Sequence, residues 1–348
     1  MLTNYLPCDQ EVVKNWRKLQ KKWPETLASR VHISDEALNK YVLWLKLQGK
    51  KIEHWTIPGL YPASDTAFAR WVIVTGAINF AYWLPEFPKK FEVENPGGKN
   101  FSGAFAMDRC FLRAFGELPI TAELLEPHFE NLETARKFFC GVTDIPFLEW
   151  RFWNIRELID VLKTKFAGDP INIYEEAGWD AARLVTLLVH RFPTSFGGDV
   201  SVMNTYFPPL DEAYIFRFYK LAKLAPVLYQ GRAKKEGSTL KELSNIGQIA
   251  AIADYEIPKA KRHQGVLVYN SKLAAKVDSG AVIHRHSLDE IAIRAADTVT
   301  NYEILERLNE GLFLDHPAYW TILPLDLIEW ISGRDSKQPH HRTPTSAY

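Results

Sequence analysis

Asp254 is the carboxylate whose neighbours most strongly suggest chemistry. It follows the apolar run 249–253 and begins the stretch Asp254-Tyr-Glu-Ile-Pro258. On a helix, the residues three and four positions away would be apolar or proline, so none of them could pair with its charge. Pro258 lacks the N–H that would bond the Asp254 carbonyl, which predicts a helix break here. Two interpretations stay open: Asp254 caps a helix over 258–267, or it is a cleft carboxylate with a perturbed pKa.

Three other segments carry side chains that could contact a substrate. Lys220 lies in the aromatic-rich stretch 216–223, where it either reaches solvent or serves as a point charge for a phosphate or a base edge. Asn79 begins Asn79-Phe-Ala-Tyr-Trp83, which is either a plain core segment or a hydrogen-bonding and stacking wall for a planar base. Asp199 ends a Gly-Gly-Asp turn, which is common loop chemistry when taken alone.

Hydrophobic spacing predicts that helices position these residues. Asp180 can cap a helix with an apolar stripe from Ala181 to Phe192, and Thr239 with Glu242 can form a capping box for another. Helices are also expected over 148–166 and 291–308, and short strands near 200–205 and 215–219 predict a small β-hairpin. The expected fold is mainly α: one α-rich domain of two lobes, about 1–179 and 180–348, with a cleft between them.

Composition excludes several classes of protein. The 348 residues include 42 Lys plus Arg and 42 Asp plus Glu, a balance that argues against binding long nucleic acid through its phosphates. The three cysteines are far apart, which fits a reducing compartment and excludes a zinc ribbon. The longest apolar stretch, 71–83, is too short to span a bilayer. We therefore expect a soluble, cytoplasmic monomer that needs neither metal nor cofactor.

Taken together, these segments resemble the queuosine salvage proteins, the queuosine-5′-phosphate N-glycosylases of eukaryotes and some bacteria. The resemblance runs in order through nearly the whole chain. Its blocks are 71–83, 113–121, 138–151, 192–199, 218–223, 253–269, 290–295 and 339–348. The sequence departs from the family's pattern at Ala292, where a Glu is expected, and near Val299, where a Trp is expected.

The resemblance implies a helical fold related to the helix-hairpin-helix DNA glycosylases. It also implies hydrolysis of queuosine 5′-monophosphate to queuine and ribose 5-phosphate, for queuine salvage and tRNA modification. In those DNA glycosylases the essential carboxylate opens an Asp-x-x-Val-x-Arg helix, and Asp254 with Ile257 and Arg262 is a loose version. Asp254 is therefore implied to be catalytic. The tail 339–348, frayed by composition, is implied to be packed.

The same resemblance implies a substrate pocket around Asp254. Base contacts are expected from Asn79, Asp199 and Tyr255, stacking from Phe80, Trp83 and Phe218, and contact with the phosphate or sugar from Lys220. Arg262 and His263 follow Asp254 in the most specific block and are expected to line the pocket. Two alternatives remain: a base-excision DNA glycosylase, which the neutral charge disfavours, and a non-catalytic module that binds the nucleotide.

Overall fold

The computed structural model describes residues 4–84, 87–204, 210–313 and 316–348. The helices, in chain order, are α1 (Pro7–Lys22), α2 (Asp35–Gln48), α3 (Asp65–Gly76), α4 (Ala104–Phe115), α5 (Ala122–Leu125), α6 (Leu132–Phe138), α7 (Leu148–Lys165), α8 (Ile171–Glu176), α9 (Ala181–Arg191), α10 (Lys220–Ala233), α11 (Glu256–His263), α12 (Ser271–Asp278), α13 (Leu288–Leu308) and α14 (Ile322–Asp335). Short 3₁₀ turns occupy Glu126–Phe129 and Ile246–Gln248.

The strands are short and form antiparallel pairs. They are β1 (Val31–Ile33), β2 (Trp83–Leu84), β3 (Phe87–Lys90), β4 (Glu92–Val93), β5 (Phe101–Ser102), β6 (Val200–Met203), β7 (Tyr214–Arg217) and β8 (Leu267–Tyr269). The pairs are β1 with β8, β2 with β3, β4 with β5, and β6 with β7. Helices therefore dominate, and the predicted mainly α class is confirmed.

The chain forms two compact units, each built from separate segments. The first contains the chain up to Ile52, Asp199–Lys220 and Ile246–Pro344, and the second contains Glu53–Gly198, Leu221–Asn245 and Thr345–Tyr348. Each unit draws on residues from both sides of position 180. The predicted division into lobes near that position stays a prediction.

Helix α13 is the centre of the first unit. The Ser287 hydroxyl caps it by accepting a hydrogen bond from the Glu290 N–H. Every residue from 290 to 301 is buried, so this part of the helix has no solvent face. α13 contacts α1, α2, β1 and α11, while α11 packs closely along α14. The buried charges of α13 are paired, as such a core requires: Arg294 with Glu290 and Asp199, and Asp297 with Lys261.

The second unit contains α3 to α9 and the part of α10 that follows Lys220. Ser64 caps α3, and its residues from Ala67 onward are largely buried. Two buried arginines bind loops within this unit. Arg232 donates to the carbonyls of His54, Trp55, Pro62 and Ala63 and to Asp65. Arg151 lies over the Phe80 ring and donates to the Phe80 and Ala81 carbonyls.

Most predicted helices are confirmed. The Asp180 carboxylate caps α9 by accepting from the Arg183 N–H at 3.0 Å, and α7 and α13 lie where the apolar spacing places them. Strands β6 and β7 form the predicted hairpin, although Thr205, at the end of the predicted first strand, lies outside the described residues. The predicted tail packing is also found, since His341, Thr343, Thr345 and Tyr348 are buried.

Two local predictions are wrong. The Thr239–Glu242 capping box does not start a helix, because the Thr239 N–H and the Ser238 hydroxyl both donate to the Asp65 carboxylate. A distant acceptor therefore takes the donors that a local cap would have used. The helix expected over 258–267 begins earlier, at Glu256, and ends at His263. Pro258 then lies in its first turn, where the absent N–H costs no helical hydrogen bond.

Candidate functional site

Asp254 lies immediately before α11 in the first unit. Its Oδ1 atom accepts hydrogen bonds from the N–H groups of Glu256 at 2.8 Å and Ile257 at 2.9 Å, so the carboxylate caps this helix. The side chain is only partly buried, and no described residue donates a hydrogen bond to Oδ2. The capping interpretation of the sequence is thus confirmed, and the interpretation of Asp254 as a cleft carboxylate stays a prediction.

Burial raises the pKa of Asp254 to about 6. The desolvation of the carboxylate is the largest cause, and the positive charge of Lys220 and the helix N–H groups oppose it. Glu256 and Asp297 raise the pKa of Asp254 further. The group is therefore mostly ionised at neutral pH and becomes protonated in mildly acidic solution.

Asp326 is a second carboxyl near Asp254, and sequence reasoning did not propose it as a site residue. Desolvation raises its pKa well above the ordinary value for Asp, and the charge of Asp254 raises it further. Two neighbouring carboxyls that share an apolar setting cannot both ionise easily. Asp326 is therefore the carboxyl of the two that is harder to ionise.

The geometry of α14 explains why Asp326 reaches this site. Asp326, Glu329 and Gly333 are three and four positions apart, so they share the helix face that packs on α11. A Cβ atom at Gly333 would meet the Glu256 carbonyl oxygen at 2.3 Å, so only glycine permits this close approach. The spacing of these residues in an otherwise apolar helix is the signal that could have revealed Asp326.

Lys220 lies beside both carboxyls. Its side chain is buried, and this desolvation lowers its pKa, while Asp254, Asp326 and Asp199 counteract the shift. The Lys220 N–H donates to Asp199 Oδ2 at 2.9 Å, which fixes the first residue of α10. The structure thus places the predicted Lys220 next to the predicted Asp254, with an ammonium and a carboxylate in mutual electrostatic contact.

Asp199 is held by a buried arginine. Arg294 Nη1 and Nη2 donate to the two oxygens of Asp199 at 2.6 and 2.7 Å, and the guanidinium lies 4.1 Å from the centroid of the Phe218 ring. Asp199 and Phe218 are both buried. The Asp199 carboxylate already accepts three hydrogen bonds, and its predicted contact with a base stays a prediction.

A second buried ionic cluster lies behind α11. The Lys261 ammonium bonds Asp297 and lies 3.5 Å from Glu329, and all three side chains are fully buried. Desolvation raises the pKa of Glu329 to about 7, and the charge of Lys261 opposes this change. Since Asp297 also raises the pKa values of Asp254 and Asp326, the two clusters are electrostatically coupled.

The remaining predicted residues of the first unit lie at different distances from Asp254. Tyr255 follows Asp254, is partly exposed and packs on the His340 ring with centroids 4.6 Å apart. Arg262 and His263 end α11, so about 10 Å of helix separates them from the Asp254 end. Arg262 pairs with Asp278, and His263 faces a surface depression together with Trp44 and Ile328. Their predicted contact with substrate stays a prediction.

Three predicted residues belong to the second unit. Phe80 is buried under the Arg151 guanidinium, which lies 4.2 Å from its ring centroid. Trp83 is buried as well, whereas Asn79 is partly exposed and its Oδ1 atom accepts from the Tyr82 hydroxyl at 3.3 Å. This segment therefore combines core packing with one accessible amide, and its contact with a base stays a prediction.

Within the described residues, two other kinds of feature are absent. No group of three or more His, Cys, Asp or Glu side chains there is arranged to hold a metal ion. No helix in the same ranges is both long enough and apolar enough to cross a membrane.

Comparison with known proteins gives a consistent result. Residues 60–348 match the family model described as queuosine salvage protein. A protein of Sphaerobacter thermophilus named queuosine 5′-phosphate N-glycosylase/hydrolase is 31% identical over 290 residues, which cover 81% of this chain and 82% of that protein. A protein of Mus musculus with the same name is 26% identical and covers 84% of this chain and 86% of its own length. A Schizosaccharomyces pombe protein so named is 24% identical over 76% of this chain and 78% of its own.

Proposed function

The chain belongs to the queuosine salvage protein family, and we propose that it hydrolyses the N-glycosidic bond of queuosine 5′-monophosphate. The products are queuine and ribose 5-phosphate. The observation that carries this proposal is the accessible, ionised Asp254 carboxylate beside Lys220 and Asp326, in a chain whose relatives are named for this reaction.

Asp254 is the proposed catalytic carboxylate. As the C1′–N9 bond breaks, its electron pair leaves with the base, and positive charge develops on the sugar as in O-glycoside hydrolysis. An anion about 4 Å from that charge contributes roughly 4 kcal/mol at an effective dielectric of 20. Because Oδ1 is held by two N–H groups, Oδ2 faces the reacting carbon or the attacking water. Water then adds to C1′, and its proton passes to Asp254.

Asp326 is the proposed proton source for the leaving base. Queuine is a 7-deazaguanine and has no N7 to accept a proton, so the negative charge on the departing base must be met elsewhere. A protonated Asp326 can donate a hydrogen bond or a proton to that base, and burial, which raises the pKa of this carboxyl well above its ordinary value, favours the protonated form. After release, the proton that Asp254 gained can return to Asp326, which restores the starting state of the pair.

Lys220 is proposed to act in two ways. Its charge favours the ionised form of Asp254, and the ammonium is also proposed as a point charge for the phosphate or sugar. Tyr255 is proposed to contact the base and Phe218 to stack on it, while the roles expected of Asn79, Phe80 and Trp83 stay predictions. Asp199 is proposed to support the site through Lys220, because its oxygens are engaged with Arg294 and the Lys220 N–H.

The test is incubation of the purified protein with queuosine 5′-monophosphate, without added metal, followed by chromatography with mass detection. Equimolar queuine and ribose 5-phosphate are expected, and Asp254→Asn should slow the release of both about a thousandfold. Binding without release of base would overturn the proposal in favour of a nucleotide-binding module. Release of damaged bases from DNA, with the nucleotide left intact, would favour a DNA glycosylase.

We further propose that the protein acts as a cytoplasmic monomer on the free nucleotide. Cys8, Cys110 and Cys140 form no disulfide, which suits a reducing compartment. Light scattering on the purified protein should give the mass of one chain, 39.9 kDa. A mass of twice that value would refute the monomer.

A further inference from the structure

We propose that Arg294 is the positioning residue that holds Asp254 and Lys220 in their reactive arrangement. The inference rests on the proposed function, since it assigns a role in that same site. It depends on where the guanidinium donates its hydrogen bonds, and on what each acceptor in turn holds.

The first acceptor is the backbone that carries the proposed catalytic carboxylate. Arg294 Nε donates to the Ala253 carbonyl at 3.0 Å, and Ala253 immediately precedes Asp254. The stretch 249–255 is neither helix nor strand, so no regular ladder of hydrogen bonds fixes it. A buried side chain on the rigid helix α13 therefore anchors the loop at the residue next to Asp254.

The second acceptor is Asp199, which holds the start of α10. Its carboxylate accepts from the Lys220 N–H at 2.9 Å, and its carbonyl accepts from the Phe218 N–H at 3.1 Å. Tyr219, between these two donors, has a φ of 49°, a left-handed conformation that side chains other than glycine rarely adopt. Such a backbone persists only where its surroundings hold it firmly. The Asp199–Arg294 pair thus fixes the turn that aims the Lys220 side chain.

One guanidinium therefore connects the two segments that supply Asp254 and Lys220. Its planar fork matches the Asp199 carboxylate in a bidentate pair, and its face lies on the Phe218 ring. Glu290, one turn earlier on α13, accepts from Nη1 at 3.3 Å and fixes the orientation of the side chain. A lysine would keep the charge but lose the fork and the stacking, so it could not hold both segments at once.

The second unit offers a matched control. Arg232 is also fully buried, pairs with Asp65 and stacks at 4.1 Å on the Phe68 ring. Its hydrogen bonds go to loop carbonyls and Asp65 within that unit, and not to the segments that carry Asp254 or Lys220. A purely structural arginine and a positioning arginine can therefore be compared by the same substitution.

The kinetic experiment compares Arg294→Lys with Arg232→Lys on queuosine 5′-monophosphate, with rates expressed per folded molecule. For Arg294→Lys we expect kcat to fall about 100-fold with KM changed less than about threefold, as for a small misplacement of catalytic groups. The acidic limb of its pH profile of kcat should also lie at lower pH than the wild-type limb. Arg232→Lys should retain kcat and its pH profile. If the two variants behave alike, Arg294 has only a structural role.

A stability cycle tests the same proposal without using activity. Asp254→Asn is introduced into wild type and into Arg294→Lys, and the thermal midpoints are measured from pH 4 to pH 8. In wild type the midpoint difference should grow with pH, because burial and the charges of Lys220, Asp326, Glu256 and Asp297 set the ionisation of Asp254. In the Arg294→Lys background, the increase of this midpoint difference between pH 4 and pH 8 should be at most about half of the increase in wild type. An undiminished growth would overturn the proposal.

The two experiments separate the possible failures. If wild type releases no base but the stability cycle shows the expected loss, the proposed reaction is wrong and the positioning role stands. If Arg294→Lys does not fold, Asp199→Asn serves instead, since it keeps the size of the side chain and breaks the ion pair. That variant should show the same fall in kcat, and a wild-type kcat would refute the inference.

Discussion

Replacing Asp254 with Asn should reduce activity and raise stability at neutral pH. The amide oxygen can still accept from the Glu256 and Ile257 N–H groups, so the cap on α11 is preserved while the charge is lost. The pKa of Asp254 rises from 3.8 to about 6 on folding, because its charged form is desolvated. A shift of that size corresponds to roughly 3 kcal/mol at 1.36 kcal/mol per unit. Solvent screening of this partly exposed group reduces the expected gain to about 1–2 kcal/mol.

The gain should depend on pH in one direction. A carboxyl whose pKa is raised by folding stabilises the native state below its ordinary pKa, and that contribution is lost as pH rises through about 6. The gain in unfolding free energy of the Asn variant over wild type should therefore be near zero at pH 4 and should reach its full value above pH 7. Calorimetry should show an increase in melting temperature of roughly 1–3 °C at pH 7.5.

The same variant should lose about a thousandfold in kcat, since roughly 4 kcal/mol of charge stabilisation in the transition state is removed. Chromatographic release of queuine measures that loss. Glu256→Gln, in the first turn of α11, is not suitable as a control because Glu256 affects the pKa of Asp254. Glu236→Gln, on an exposed loop, is the suitable control and should change neither property. An Asn variant that retains the wild-type rate would refute the reasoning. A gain in stability over wild type that is smaller at pH 7.5 than at pH 4 would also refute it.

Four further outcomes are expected. Wild-type kcat should rise tenfold per pH unit below about 6 and level off above it, following the ionisation of Asp254; a profile flat from pH 4 to pH 7 would contradict this. Lys220→Ala should impair the 5′-phosphate more than the unphosphorylated nucleoside, and equal impairment would remove its phosphate role. Asp326→Asn should lower kcat about 100-fold if it supplies the proton to the base, and a wild-type rate would exclude that role. Gly333→Ala should lower the melting temperature by several degrees, because its Cβ would lie 2.3 Å from the Glu256 carbonyl; Gly97→Ala, with nothing within 4 Å, is the control.

Local sequence patterns gave the helices with the clearest signals. The Asp180 cap and the apolar stripe of α9 require only neighbours along the chain, as do α7 and α13. The capping box at Thr239 failed because a competing acceptor, Asp65, is distant in sequence. Local propensity is a weak prior wherever a tertiary partner can take the same donor.

The sequence by itself determined the helical class and the family resemblance, and it singled out Asp254 and Lys220, since each depends on residue types in short ordered blocks. Only the tertiary structure decided that Asp326 joins them, because α14 reaches α11 through a glycine contact far along the chain. It also decided that Asp199 faces Arg294, that the pKa of Asp254 rises to about 6 and that burial raises the pKa of Asp326 further above its ordinary value. Burial and charge at a carboxyl depend on groups brought together from distant positions, and a single sequence carries no record of those distances.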